Sequence, residues 1–276
     1  VTLKAQTQKI DRILLLLVLG LTCFGVLMVY NASIVSALRD FGDKYFYARQ
    51  QLIWAGLGLG VLFFFTKFHY TRLASLSPLL LFATILFLIA VLIPGVGTSA
   101  LGARRWLGIG RFNFQPAEVA KLAFILFLAS LFKQKPKLTP FLLISGLLVF
   151  LIMLEPDLGT TVVLFASGLI VYFTAGAPLV SLGAMGILTF LVGMLLILTS
   201  SYRKERFLTF LDFSRDPLGA SYHIRQVLLA LGSGGLLGVG LGASRQKYEY
   251  LPESMTDSIF AIMAEEMGFI GAILII

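Results

Sequence analysis

The stretch Leu251-Pro252-Glu253-Ser254-Met255-Thr256-Asp257 stands directly ahead of an apolar run, Ser258 to Ile276, that itself contains Glu265 and Glu266. A carboxylate carried to the centre of a bilayer costs about 2.5 to 3.5 kcal/mol on insertion scales, so acids at the mouth of a hydrophobic helix need a use. Asp257 is therefore the first candidate for chemistry. The plain alternative is a helix cap, which both Thr256 and Asp257 suit. Glu265 and Glu266, further along the same run, fit either a second acid or base or structural hydrogen bonding.

Three other groups of charge could bind or orient a ligand. Glu118 and Lys121 are spaced i, i+3, on one face of a segment otherwise too apolar to show charge to lipid. They form either a packing ion pair or the wall of a polar cavity. Arg104 and Arg105, followed by Trp106, suit an anionic group or a headgroup anchor at the interface. Glu155-Pro156-Asp157 makes an acidic corner whose proline also serves an ordinary turn. The glycines from Gly232 to Gly242 tempt a phosphate-loop reading. No strand precedes them and no Gly-Lys-Ser/Thr follows, so close packing against neighbouring helices is the better one. His69 and His223 are the only histidines, and no Ser/His/Asp pattern accompanies them.

The elements that must carry these residues are membrane helices. Of 276 residues 58% are hydrophobic and 13% charged, against roughly 45–50% and about 25% in soluble domains, and mean hydropathy is +0.92. Charge-free runs extend from Ile13 to Leu38, Gln50 to Thr66, Leu73 to Ala103, Leu138 to Leu154 and Leu158 to Tyr202. The last is long enough for two spans and is broken at Thr174-Ala175-Gly176-Ala177-Pro178. With a segment around Val119 to Phe132 and the final run, about eight helices are expected. The first run is longer than a signal-peptide core and is read as a retained span. Cys23, the single cysteine, excludes a disulfide framework.

Lys67 and Arg72 flank one turn and Lys133, Lys135 and Lys137 another, neither with an acid, which places these turns and the basic N-terminus in the cytoplasm. The outward loops hold nearly all the acids, along with Arg39, Lys44, Arg49, Arg104, Arg105 and Arg111. Cations on the disfavoured side point to an anionic ligand, or to loops long enough to escape the rule. One such loop runs 203–257, and within it Tyr222 to Leu231 has the spacing of an interfacial or re-entrant helix. Gln115-Pro116-Ala117-Glu118 carries helix-start signals.

Five pieces of the chain stand in a characteristic order: Tyr30-Asn31-Ala32-Ser33, Gly102-Ala103-Arg104-Arg105-Trp106, Gln115-Pro116-Ala117-Glu118 through Lys121, Pro156-Asp157-Leu158-Gly159-Thr160, and Tyr250 to Gly268. On these the sequence resembles the SEDS family (shape, elongation, division and sporulation), the group containing FtsW and RodA, over essentially its whole length. The arginine-bearing piece leans towards the division branch. Met255 and Ser258 flank Thr256-Asp257 where the family usually has His and Phe, and Glu155 stands where Gln is common.

The resemblance implies an all-α, polytopic transmembrane helical bundle of ten spans. About eight are present, because the chain ends at Ile276 inside the eighth. It is expected to be a C-terminally truncated piece, a single integral membrane domain over 1–276 with a long extracytoplasmic loop 203–257. The implied activity is a peptidoglycan glycosyltransferase that polymerises lipid II into β-1,4-linked strands during cell division, in the bacterial cytoplasmic (inner) membrane. Its implied partners are lipid II, the growing lipid-linked glycan, a class B penicillin-binding protein transpeptidase and the division machinery, with no nucleic acid.

In that reaction a sugar hydroxyl displaces undecaprenyl pyrophosphate with inversion. A hydroxyl is a poor nucleophile unless a positioned carboxylate takes its proton. Asp257 matches the family's catalytic aspartate. Arg104 and Arg105 are candidates for the leaving pyrophosphate. Gln115, Glu118, Lys121, Glu253 and Thr256 are the further substrate-binding candidates. A divalent cation, Mg or Mn, could share the charge, though the spacing defines no metal site. Two competing functions are a lipid II flippase, suggested by the Glu118/Lys121 pair, and a scaffold that only docks the division machinery.

Overall fold

Asp11 accepts hydrogen bonds from the backbone N–H groups of Ile13 and Leu14, and this cap opens helix α1, Arg12–Phe41. The helix closes at Gly42, whose φ of 67° is the left-handed conformation that glycine adopts without strain. Helix α2, Phe46–Lys67, packs beside α1. The structure, a computed structural model, describes residues 11–100, 103–109, 112–133, 135–212, 221–248, 251 and 256–276. The residues up to Lys67 join Leu195–Ile276 in one compact unit, and Phe68–Met194 form a second.

The first unit also contains α8, Ser201–Leu211, α9, Tyr222–Gly234, and α10, Ile259–Ile275. Helix α10 is broken at Gly268, which has φ 69° and ψ −173°. In an unbroken helix the carbonyls of Glu265 and Glu266 would accept from Phe269 and Ile270. The glycine-rich turn after α9 takes over both ends of those bonds. Val239 and Gly240 donate to Glu265 and Glu266 at 3.0 Å each, while Phe269 and Ile270 donate to Gly235 and Leu236 at 2.9 and 3.2 Å. No backbone group at the break is left unpaired by these exchanges, which is the condition for irregular backbone at membrane depth. A Cβ on Gly268 would collide with Gly238 N and Leu236 O, so this exchange is why the sequence needs glycines here.

In the second unit, α3 is Tyr70–Leu92, α4 Pro116–Leu131, α5 Leu138–Leu154, α6 Leu158–Thr174 and α7 Leu179–Leu198, whose last residues fall in the first unit. Its core gathers Phe124, Phe132, Phe141, Leu148, Leu164 and Tyr172. The Phe141 and Tyr172 rings stack with centroids 5.0 Å apart. Gly168 lets α6 approach so closely that a Cβ there would lie 2.5 Å from the Phe124 ring. The charge-free run from Leu73 does not stay helical to Ala103. Helix α3 ends at Leu92, and Pro94, Gly95 and Gly97 turn the chain into an antiparallel sheet. Its strands, β1 Gly97–Ala100, β2 Ala103–Ile109 and β3 Phe112–Phe114, lie in the order β1-β2-β3.

Helices α1, α2, α3 and α7 are long and apolar enough to cross a membrane, while α5 and α6 are apolar at 17 residues each, the lower edge of a span. Their outer faces are apolar: Ile13, Leu16, Phe64, Leu79, Phe150, Ile170, Phe190 and many others are exposed. In water such apolar faces on each unit would drive aggregation. Lipid is the solvent it fits, and the molecule is a multi-pass membrane protein.

Candidate active site

In the second unit, the β1–β2 register shifts at Arg105: Thr98 pairs with Trp106 and Ser99 with Arg104, which leaves Arg105 as the extra residue of a bulge. Arg105 turns to the corner between α5 and α6. Its Nε donates to the Glu155 carbonyl at 3.0 Å, its Nη2 donates to the Pro156 carbonyl at 2.5 Å, and its Nη1 lies 3.9 Å from Asp157 Oδ2. Asp157 in turn caps α6, accepting from Thr160 N at 3.0 Å and Thr160 Oγ1 at 2.9 Å. Gln115 Nε2, at the start of α4, donates to the same carboxylate at 3.1 Å. Arg105, Gln115 and Asp157 thus form one joint that pins the sheet to three helix ends. Arg104 is exposed and, among the described residues, has no hydrogen bond or ion pair.

Glu155 sits inside that joint, 1% exposed, with no hydrogen-bond partner on either carboxylate oxygen among the described residues. Burial first, and the neighbouring Asp157 carboxylate second, push its carboxyl up to about 7, against the pull of Arg105. Glu118 and Lys121 form the ion pair that their spacing suggests, Nζ to Oε1 2.8 Å. The buried face of α4 is Ala117, Ala120, Phe124 and Leu128, and Glu118 is exposed on another face. The pair is not part of its unit's core.

In the first unit, Asp257 is exposed in the turn 256–258 that leads into α10. The N-cap position is held by Ser258, and no side chain makes a capping bond there. The cap is therefore not the role of the Asp257 carboxylate. Ser258 Oγ lies 2.7 Å from His223 Nε2, which ties the residue after Asp257 to the first turn of α9. Thr256 is exposed beside it, and Glu253 falls outside the described residues.

Below that turn the two glutamates of α10 are 2% and 1% exposed, and each accepts three hydrogen bonds. Glu265 accepts from Ser244 Oγ at 2.5 Å and from the backbone N–H groups of Arg245 and Gln246 at 3.2 and 3.4 Å. Glu266 accepts from Asn31 Nδ2 of α1, from Ser244 N at 3.3 Å and from Lys247 Nζ at 3.3 Å. Lys247, 4% exposed, spends its other two protons on Asn31 Oδ1 at 3.0 Å and the Gly242 carbonyl at 2.6 Å. Two buried carboxylates that each accept three hydrogen bonds are holding a loop.

Sequence reasoning passed over Lys247, Ser244, Asn31 and the His223–Ser258 bond. The pointer it had was the Glu265/Glu266 pair itself: acids in an apolar helix demand cations, and Arg245 and Lys247 are close in sequence. Among the described residues, no group of three or more His, Cys, Asp or Glu is arranged to hold a metal ion.

A family model described as "Cell cycle protein", covering FtsW, RodA and SpoVE, matches residues 11–276. Stage V sporulation protein E of Bacillus subtilis (strain 168) is 43% identical over 277 residues, 96% of this chain and 75% of that protein. A probable peptidoglycan glycosyltransferase FtsW of Geobacter sp. (strain M18) is 39% identical over 281 residues, 98% of this chain and 76% of that protein. Among solved structures, a chain from a study of polymerization and crosslinking by a peptidoglycan synthase complex matches with TM-score 0.70 and 30% identity, covering 96% of this chain and 73% of that one. The rod shape determining protein RodA of Thermus thermophilus matches with TM-score 0.64 and 27% identity, covering 96% and 70%.

Proposed function

This chain belongs to the FtsW, RodA and SpoVE family of cell cycle proteins and is a peptidoglycan glycosyltransferase, and we propose that it extends glycan strands from lipid II with Asp257 as the base. The observation that carries the residue assignment is the state of the acids in the first unit. Glu265 and Glu266 are buried and each is engaged in three hydrogen bonds, while Asp257 is exposed at the head of α10 and does not cap it. A carboxylate acting on a substrate hydroxyl must be reachable and unspent.

In this mechanism Asp257 takes the proton of the acceptor GlcNAc 4-hydroxyl as that oxygen attacks the anomeric carbon of the donor MurNAc. The bond to undecaprenyl pyrophosphate breaks, and a β-1,4 link forms with inversion. Charge developing on the leaving pyrophosphate calls for a cation that is not already committed. Arg105 is committed to the Glu155 and Pro156 carbonyls. Arg104, exposed, is the better candidate, with Lys121 second. Gln115 and Arg105 act by shaping the joint that presents Arg104.

Charge placement supports an extracytoplasmic site. In the second unit, Ser130 near the end of α4 donates to Ala74 near the start of α3, and Phe132 packs on Tyr172 near the end of α6. Arg72, Lys133, Lys135 and Lys137 therefore gather at one end of the unit, and Glu155, Asp157 and Glu118 at the other. By the positive-inside rule the end that carries only cations is assigned to the cytoplasm, and the end where Glu155, Asp157 and Glu118 sit with Arg104, Arg105 and Lys121 to the outer side of the bacterial inner membrane. The proposed partner is a class B penicillin-binding protein, in keeping with the polymerization and crosslinking named for the structural relative.

The intact protein in liposomes with lipid II and that partner is expected to yield polymeric glycan that a muramidase digests to disaccharide units. Movement of labelled lipid II across the bilayer with no polymer would replace this reading with a lipid carrier.

A further inference from the structure

We propose that Lys247 is a positioning residue for Asp257, holding the loop between α9 and α10 so that the carboxylate meets its substrate. The inference rests on the assignment of Asp257 as the base. Asp257 has no fixed bond of its own in the described structure, so its location is set by what holds the chain on either side. On the far side that is α10, with Ser258 tied to His223. On the near side the described residues 242–248 are anchored, and the buried Leu251 donates its N–H to Gln246 O at 3.1 Å.

Lys247 is the side chain of this loop that reaches two helices at once. Its ammonium has three protons, and each has a separate acceptor: Asn31 on α1, Glu266 on α10 and Gly242 within the loop. Glu265 grips the same loop through three consecutive residues, Ser244, Arg245 and Gln246. The carboxylates of α10 thus bind the loop that leads back to the start of α10. Asp257 is exposed in the turn 256–258 at the head of α10.

A merely structural lysine would serve as the counter-charge of Glu266, and removing both charges would then repair the loss. A positioning lysine is needed for its bonds to Asn31 and Gly242 as well. The test compares Lys247→Met, Lys247→Met/Glu266→Gln and wild type in the intact protein with its partner, reading steady-state polymerisation of lipid II and Tm. Lys247→Met is expected to lower kcat at least about tenfold with KM within about twofold, the pattern of a misplaced catalytic group. The double variant is expected to regain Tm while kcat stays low. Recovery of kcat in the double variant would overturn the proposal, as would unchanged kcat in Lys247→Met or failure of both variants to fold. Asp257→Ala in the same assay separates the two claims: normal polymer from it overturns the base assignment, whatever Lys247 does.

Discussion

Arg105 Nε donates to the backbone carbonyl of Glu155, 50 residues further along the chain, at 3.0 Å. With the bond to Pro156 this makes the guanidinium a rivet between β2 and the α5–α6 corner. Arg105→Ala leaves the Glu155 and Pro156 carbonyls without this donor and removes the cation 3.9 Å from Asp157, a loss of about 1 to 3 kcal/mol. Its Tm is expected to fall. Arg104→Ala is expected to keep wild-type Tm and lose turnover, because Arg104 makes no bond to the described residues. Thermal unfolding and polymerisation assays on the two variants check this split, and the reverse pattern would exchange their roles.

Glu155 makes stability depend on pH in a definite direction. Its folded carboxyl is raised from an ordinary 4.5 to about 7, so between these values the folded state binds the proton more tightly than the unfolded state does. The contribution is fully present below about pH 4.5, declines as pH rises, and is lost above about pH 7. Tm measured from pH 5 to 8 is expected to fall for wild type and to flatten for Glu155→Gln. An equal slope in both would show that Glu155 is not the titrating group.

The break in α10 depends on Gly268. Alanine there meets both a left-handed φ of 69° and the backbone of Leu236 and Gly238, so Gly268→Ala is expected to cost more than about 1 kcal/mol. Gly25→Ala on α1 adds a Cβ with nothing within 4 Å and is expected to be neutral or to gain about 0.5 to 1 kcal/mol from helix propensity. Tm of the two variants gives the comparison.

The Glu118–Lys121 pair is short and lies partly in solvent, and such i, i+3 pairs contribute only about 0.2 to 0.5 kcal/mol. Glu118→Gln and Lys121→Ala should therefore leave Tm nearly unchanged. Any loss of polymerisation they cause then reports on substrate contact. If they alter flux of labelled lipid II while polymer synthesis is normal, the pair serves transport.

Helices were legible wherever apolar length and punctuation agreed. Pro116 and Glu118 open α4, and Thr174 to Pro178 separate α6 from α7. The helical spacing from Tyr222 to Leu231 is found as α9. The sheet over Gly97–Phe114 was not legible, because its short strands mix glycine, arginine and apolar residues without a period of two. The Asn31–Glu266 bond spans 235 residues, and no local pattern encodes a contact at that separation. What the residues did signal was the demand: two acids inside an apolar helix had to be satisfied by something. The structure supplies the lysine, the asparagine and the loop amides.

The central claim is that the Asp257 carboxylate takes the proton of the attacking hydroxyl. Its most direct test is the rate of glycan formation from lipid II by Asp257→Ala in the intact, partner-bound protein, with Tm confirming the fold. The account predicts loss of glycan synthesis of about 10² fold or more with Tm unchanged, in the range expected when a general base is removed. Glycan chains formed at the wild-type rate by that folded variant would contradict it.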